Sequence, residues 1–325
     1  MGLNPTTWPR TAKLIAAFAT LYIVWGTTYL AIRIGLDADM PPAGFLALRL
    51  LPAGALLLGF ARWRKTSLKV SLRDRRTIIT VGLFLLLGGQ YGTYLAEQYI
   101  PSGLAALIVA LLPVWATAVD AVLPDMERPT WRGYLGLVIG LAGLGVLLYP
   151  RLSGMGGGGT DLLGVGLQIL ATWLWTTGSV ISKRRPVKTD AIVATAYEML
   201  TAGGVLAVIA TVRGEWSDVT LTPQGIGALL YLILIGSCVA FTAFVWLLRN
   251  VPTSKVMTYA FVNPVVAVLL GWIVLSEPID TWVVAGMSII VAGVALTTTA
   301  PTRPPRSATT VSATPTAEDP ALNPA

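Results

Sequence analysis

The sequence predicts an all-α integral membrane protein of ten transmembrane helices, arranged as two inverted five-helix repeats. Three observations lead there. The first is self-similarity at a fixed offset, the mark of an internal structural repeat. Glu127, Gly136 and Gly143 recur as Glu277, Gly286 and Gly293, each 150 residues later, and Trp25 in WGTTYL recurs as Trp175 in WTTGSV. Pro113 and Pro264 stand 151 apart, and Arg49 in LRLLPAG and Glu198 in YEMLTAG stand 149 apart. The second is composition: 54% of the 325 residues are hydrophobic, only 12% are charged, and the mean hydropathy is +0.71. A soluble domain carries about 25% charged residues. The third is the placement of Lys and Arg, which alternates from one interhelical loop to the next.

A bilayer crossing needs about 20 apolar residues. Ten stretches qualify, at 13–34, 42–61, 77–97, 102–123, 131–149, 162–182, 191–212, 224–248, 254–275 and 280–299. The first follows Arg10 and Lys13 as a signal peptide would, but it runs past 20 residues, contains Tyr22, Trp25 and Arg33, and has no clear cleavage site, so it is read as a span that stays. The basic loop 62–76 and the glycine-rich SGMGGGG at 153–159 are the long connections. Residues 10–150 then form the first repeat, 151–160 a flexible linker, 161–300 the second repeat, and 301–325, rich in Pro, Thr and Ala, a disordered cytoplasmic tail.

With the N-terminus in the cytoplasm, inside stretches hold 19 of the 23 basic residues, while outside loops hold only Arg151 and Arg213 and are otherwise acidic (Asp37, Asp39, Asp161, Glu215, Asp218, Asp280). This positive-inside pattern places both termini in the cytoplasm, and one helix more or fewer would scramble it. Five spans per repeat is an odd number, so the second repeat enters from the opposite face. Inverted repeats of this kind give two exchangeable shapes around a midplane site, which is the architecture of secondary transporters.

Composition also excludes. The chain has no His and a single Cys, Cys238, which argues against zinc, haem, Cys–His chemistry or a His proton relay and reads as a small packing residue. No GK dipeptide is present, hence no P-loop lysine, and neither HExxH nor GxSxG occurs. The expectation is a protein that is not an enzyme and carries no cofactor and no metal. The net charge of +7 comes from loops between spans rather than from a nucleic-acid-binding face.

WGTTYLAIRIGL followed by PPAGFLALRLLPAGALL resembles the start of an EamA repeat, and FVNPVVAVLLGWIVLSEPI followed by a glycine-rich last helix resembles the end of one. Over residues 10–300 the chain is thus similar to the EamA family of the drug/metabolite transporter superfamily. The resemblance implies a carrier in which helices 1–4 and 6–9 surround a central cavity, with helices 5 and 10 peripheral. It further implies export of small metabolites such as amino acids from a bacterial cytoplasmic membrane. Small four-helix multidrug relatives rely on a Glu in their first helix, and this chain has no acid in its first span, so that mechanism does not carry over.

Ionisable groups inside spans are costly and are functional candidates by default. Arg49 and Glu198 lie seven or eight residues into their spans, about 11–12 Å deep at 1.5 Å per residue, one reached from each face. Two readings stand for the pair: a zwitterion clamp, with Glu198 alternatively carrying a proton, and a structural ion pair. Tyr22, Trp25, Thr28, Gln90, Tyr94, Trp115, Trp173, Thr176, Tyr259 and Asn263 are the remaining substrate-cavity candidates, since aromatics with a few polar groups make the usual small-molecule site. Packing and interfacial belts compete for the same residues. Pro113 and Pro264 bend their helices. Asp120 reads as solvated, Arg33 as snorkelling, and Glu97 as lying at the outer mouth; Glu127 and Glu277 read as helix caps. Gly136 and Gly140, flanked by Gly133 and Gly143, offer either an internal packing face or a homodimer face, so monomer and homodimer both remain open. The expected function is alternating-access export of small organic metabolites such as amino acids, with the bilayer, a small-molecule substrate and a proton as partners. A multidrug or cationic-compound exporter and a non-transporting membrane protein are the alternatives.

Overall fold

The computed structural model describes residues 10–112, 114–116, 128–152, 159–251, 256 and 259–303. Pro113, Asp120, Glu127, most of the glycine linker and the tail from 304 lie outside them. Helix is found in each of the ten expected segments: α1 (Arg10–Asp37), α2 (Pro42–Trp63), α3 (Leu72–Ala96), α4 (Ser102–Val109), α5 (Trp131–Leu152), α6 (Gly159–Arg184), α7 (Ala191–Val212), α8 (Pro223–Asn250), α9 (Tyr259–Leu275) and α10 (Thr281–Thr299). Five of these, α1, α2, α3, α7 and α8, are long and apolar enough to cross a bilayer. The backbones of 128–129 and 302–303 pair as a two-residue antiparallel ladder.

The helix starts follow from local chemistry. Ser71 accepts from the Asp74 amide, Thr222 from Gly225, Asp190 from Ile192, and Asp280 from Val283, each supplying an orphan donor of a first turn. Glu277 does not cap the helix next to it in the chain. Its carboxylate reaches across the fold to the start of α4, accepting from the amide and hydroxyl of Ser102 (2.9 and 2.7 Å) and the amide of Gly103 (3.1 Å). Glu215 does the same for α2 through the Gly44 amide (2.9 Å), while pairing with Arg213. Asp74 holds the approach to α7 through the amides of Lys188 and Thr189 and the Thr189 hydroxyl. In apolar surroundings each of these acids meets two or more donors, which is how a buried carboxyl group becomes tolerable.

Repeat-equivalent helices pack antiparallel, and their contacts are reciprocal. On α2 and α7, a Cβ on Gly54 would meet Leu200 at 2.8 Å, and one on Gly203, the equivalent of Gly54, would meet Leu51, the equivalent of Leu200, at 3.0 Å. On α5 and α10, Gly143 closes on Ile290 (2.7 Å to its amide), while Gly293 closes on the backbone of Gly140 and Gly136. The Gly136–Gly140 face is therefore filled from within the chain, by the close backbone approach that small residues permit. α4 and α9 pair likewise, and α3 against α6 mirrors α8 against α1.

Three helices widen locally into π-helical turns, at Leu21–Trp25 in α1, Leu83–Gln90 in α3 and Leu232–Phe241 in α8. Such turns occur often at functional sites. In α1 the buried Asn263 amide, oriented by its hydrogen-bond network, donates to the carbonyls of Tyr22 and Tyr259 (3.2 and 3.1 Å), tying α9 to the widened turn.

Candidate functional site

The widened turns of α1 and α3 line one cavity of about 70 Å³, with walls from α1, α2, α3, α4, α6 and α9, and the widened turn of α8 reaches it through the Ser237 contact to Arg49. That is room for several waters, and smaller than the roughly 300–1,000 Å³ of an occupied ligand site. Among the described residues α5 and α10 contribute no lining residue and pack on each other instead, but neither α7 nor α8 lines it, so the wall comes from six helices rather than the eight the resemblance implies.

Arg49 is the cation of this cavity. It is 2% exposed, and its guanidinium donates from Nε to the Ser237 hydroxyl (2.9 Å) and from Nη1 to the Tyr94 hydroxyl (3.1 Å). Both partners are neutral, and no ion pair to Arg49 occurs among the described residues. Phe45 stacks edge-on to the Tyr94 ring at 5.2 Å and holds that hydroxyl in place. Across the cavity, Gln168 donates from Nε2 to the Thr93 hydroxyl (3.2 Å). The carbonyl oxygens of Gln90 and Gln168 are buried without a hydrogen-bond partner. The site thus combines one positively charged donor group with two unfilled acceptors. No acid lines it among the described residues.

One end is closed by an aromatic cluster. Trp25 packs edge-on to its repeat equivalent Trp175 at 5.5 Å, and against Phe244 and Tyr259 at 4.9 Å each; Phe241 and Phe244 complete the cluster. These rings are worth about 0.5–1.5 kcal/mol per pair beyond their buried area.

Of the residues singled out from the sequence, Trp25, Thr28, Arg49, Gln90, Tyr94 and Tyr259 meet in this cavity. Thr176 is buried on α6 with its hydroxyl donated to the Thr172 carbonyl, Asn263 serves the α1–α9 junction, and Tyr22 and Trp115 pack partly buried against the core. Trp173 is 45% exposed on the outer surface of the bundle. Glu198 does not line the cavity. Its backbone lies against Gly82 of α3, and the α2–α7 contacts set it level with Gly54, five residues from Arg49 and about 7.5 Å along the helix. No ion pair joins Glu198 to Arg49; its Oε2 is buried without a hydrogen-bond partner. Glu97, at the end of α3, is fully buried with both carboxyl oxygens unpartnered, while Arg33 pairs with Asp37 and donates to the Glu97 carbonyl. Tyr29, in helical register with Tyr22 and Trp25, also lines it, as do Thr93, Gln168, Thr172 and Trp175, which the sequence did not single out for the cavity. For Trp175 the signal was present, as the repeat equivalent of Trp25.

A helical bundle with membrane-length spans, a duplicated plan and a small polar-aromatic cavity at its centre defines a membrane transport protein. The profile of the EamA-like transporter family matches residues 12–149 and again 162–299, and the chain belongs to that family. It is 36% identical over 287 residues to the "uncharacterized inner membrane transporter YedA" of Escherichia coli (strain K12), covering 88% of this chain and 90% of that one. It is 30% identical over 302 residues to the "uncharacterized transporter YvbV" of Bacillus subtilis (strain 168), covering 89% and 92%. A solved crystal structure superposes with a TM-score of 0.66 at 21% identity, over 89% of this chain and 96% of the other, a likeness of fold. The protein is a membrane transporter rather than an enzyme.

Proposed function

We propose that this transporter exports zwitterionic metabolites of the amino-acid class by alternating access between two inverted five-helix halves. Arg49 carries the reading: a buried guanidinium on the cavity wall with only neutral partners is a receptor for a carboxylate, which it would bind by charge-assisted hydrogen bonds of about 1.5–3 kcal/mol each. The unfilled carbonyls of Gln90 and Gln168 suit the ammonium end, and the rings of Trp25, Tyr29 and Tyr259 suit an apolar side chain. A carrier of cationic drugs would need an acid in the wall. The antiparallel, reciprocal packing of α2 on α7 and α5 on α10 supports the inverted arrangement and, with the positive-inside bias, the ten-span topology with cytoplasmic termini. In that orientation the aromatic cluster closes the cytoplasmic side, and uptake of the substrate requires it to part. Glu198, buried on that side, is the proposed proton carrier.

The test is export from cells producing the protein, with extracellular amino acids quantified by mass spectrometry. A released amino acid that is lost with Arg49→Ala at matched membrane abundance supports the reading, and loss with Glu198→Gln adds proton coupling. Unchanged extracellular amino acids contradict it.

A further inference from the structure

A second concavity lies away from the central cavity, at the end of the bundle where the basic residues cluster. It is a cleft of about 400 Å³ between the start of α1 and the end of α8, bounded by the end of α2 and the start of α7. That volume falls in the range of about 300–1,000 Å³ typical of small-ligand sites. Lys13 and Arg64 line it with Trp246, and its remaining wall includes Ala16, Asp190 and Thr242. The Thr242 hydroxyl is buried there without a hydrogen-bond partner, and the Asp190 carboxylate is already engaged by the Ile192 and Val193 amides.

The cleft is not a by-product of the repeat. At the equivalent place in the other half, where α3 meets α6, Thr242 is replaced by Gly92, and a Cβ there would meet Ala171 at 2.7 Å; Lys13 is replaced by Leu163 and Trp246 by Ala96. In that half Gly92 is closed against Ala171, and Arg213, the equivalent of Arg64, pairs with Glu215, whereas here Lys13 and Arg64 line an open cleft. Its surroundings are those of a membrane surface: Ile15 (65% exposed), Phe60 and Trp63 (77% exposed) stand on the outer faces of the same helix ends, and the basic loop 62–76 adjoins. An exposed tryptophan beside lysine and arginine marks the depth of lipid headgroups.

We infer that this cleft binds the phosphate of an anionic phospholipid from the adjacent leaflet. Lys13 and Arg64 take the phosphate oxygens, Thr242 supplies one further hydrogen bond, and Trp246 covers the glycerol end. Basic pockets between membrane helices are suited to such headgroups, and the apolar flanks leave the acyl chains in the bilayer. The inference does not depend on the substrate proposed for the central cavity.

The test is a lipid titration of the purified full-length protein in detergent, read by native mass spectrometry, with phosphatidylglycerol, phosphatidylcholine and inorganic phosphate as probes. The wild type is expected to take up one phosphatidylglycerol in preference to phosphatidylcholine, undisturbed by millimolar inorganic phosphate. Lys13→Gln with Arg64→Gln is expected to bind it about 30-fold more weakly, at about 1 kcal/mol per cation. Ala16→Leu keeps both charges and fills the cleft, and is expected to abolish the site, which separates a built pocket from general surface attraction. Equal uptake of the two lipids by the wild type overturns the inference, as does phosphatidylglycerol binding undiminished in both variants. Displacement by inorganic phosphate alone would assign the site to a free anion and overturn the lipid.

Discussion

Tyr94 and Phe244 occupy equivalent positions in the two halves, 150 residues apart, and they do opposite things. Tyr94 accepts a hydrogen bond from Arg49 at the edge of the cavity; Phe244, lacking that oxygen, packs its ring on Trp25 at 4.9 Å and helps to close the other end. Their neighbours behave likewise. Gln90 lines the cavity, while its equivalent Ala240 is fully buried, and Arg49 has neutral partners where Glu198 has a buried oxygen with none. The repeat supplies two copies of one backbone frame. Side-chain polarity then decides which of two equivalent positions borders the cavity and which packs against its neighbours.

That comparison can be broken most forcefully at the point where the halves touch. Trp25→Ala removes the ring that meets Trp175, Phe244 and Tyr259, and is expected to cost about 3–5 kcal/mol of stability, seen as a lowered thermal midpoint in detergent, together with a leak of substrate through vesicles. Arg49→Ala should reduce transport about 100-fold, about 2.7 kcal/mol at 1.36 kcal/mol per decade. Arg49→Lys should not restore it, because one ammonium does not reproduce the fork that spans Tyr94 and Ser237. Phe244→Tyr makes the sealed half chemically like the open one; burying its hydroxyl among rings should cost about 1–3 kcal/mol in denaturation. The reverse exchange, Tyr94→Phe, strips the buried Arg49 of an acceptor and should cost about 1–3 kcal/mol of stability and lower the rate about tenfold. The smallest effect is expected of Glu277→Gln, which weakens the cap on α4 by about 0.5–2 kcal/mol and should appear as faster amide exchange at Ser102 and Gly103 with transport intact.

Helix placement was legible because both signals for it are one-dimensional: apolar length and a constant offset near 150 locate the helices to within about five residues, the end of α4 lying outside the described residues. Depth was legible in the same way, and it placed Arg49 and Glu198 inside their spans. Azimuth was not. Trp173 and Trp175 differ by two residues, about 200° around a helix; the sequence reading selected the first, which faces outward, and passed over the second, which lines the cavity. The widened turns add to this. Each extra residue in a turn rotates the rest of the helix by about 100°, so the turn at Leu83–Gln90 re-aims Gln90, Thr93 and Tyr94 in a way no regular periodicity anticipates. Glu277 shows a third limit: it was read as a cap from its place before a helix, and it does cap one, but the partner lies 175 residues away and only the folded chain brings it near.

The most direct measurement is counterflow in proteoliposomes, comparing a neutral amino acid with its carboxamide, which keeps the size and the ammonium but loses the carboxylate. The wild type is expected to carry the acid and discriminate strongly against the amide, and Arg49→Ala to lose that discrimination. Equal transport of acid and amide by the wild type, or full discrimination retained in Arg49→Ala, would contradict the claim that this buried guanidinium receives the substrate.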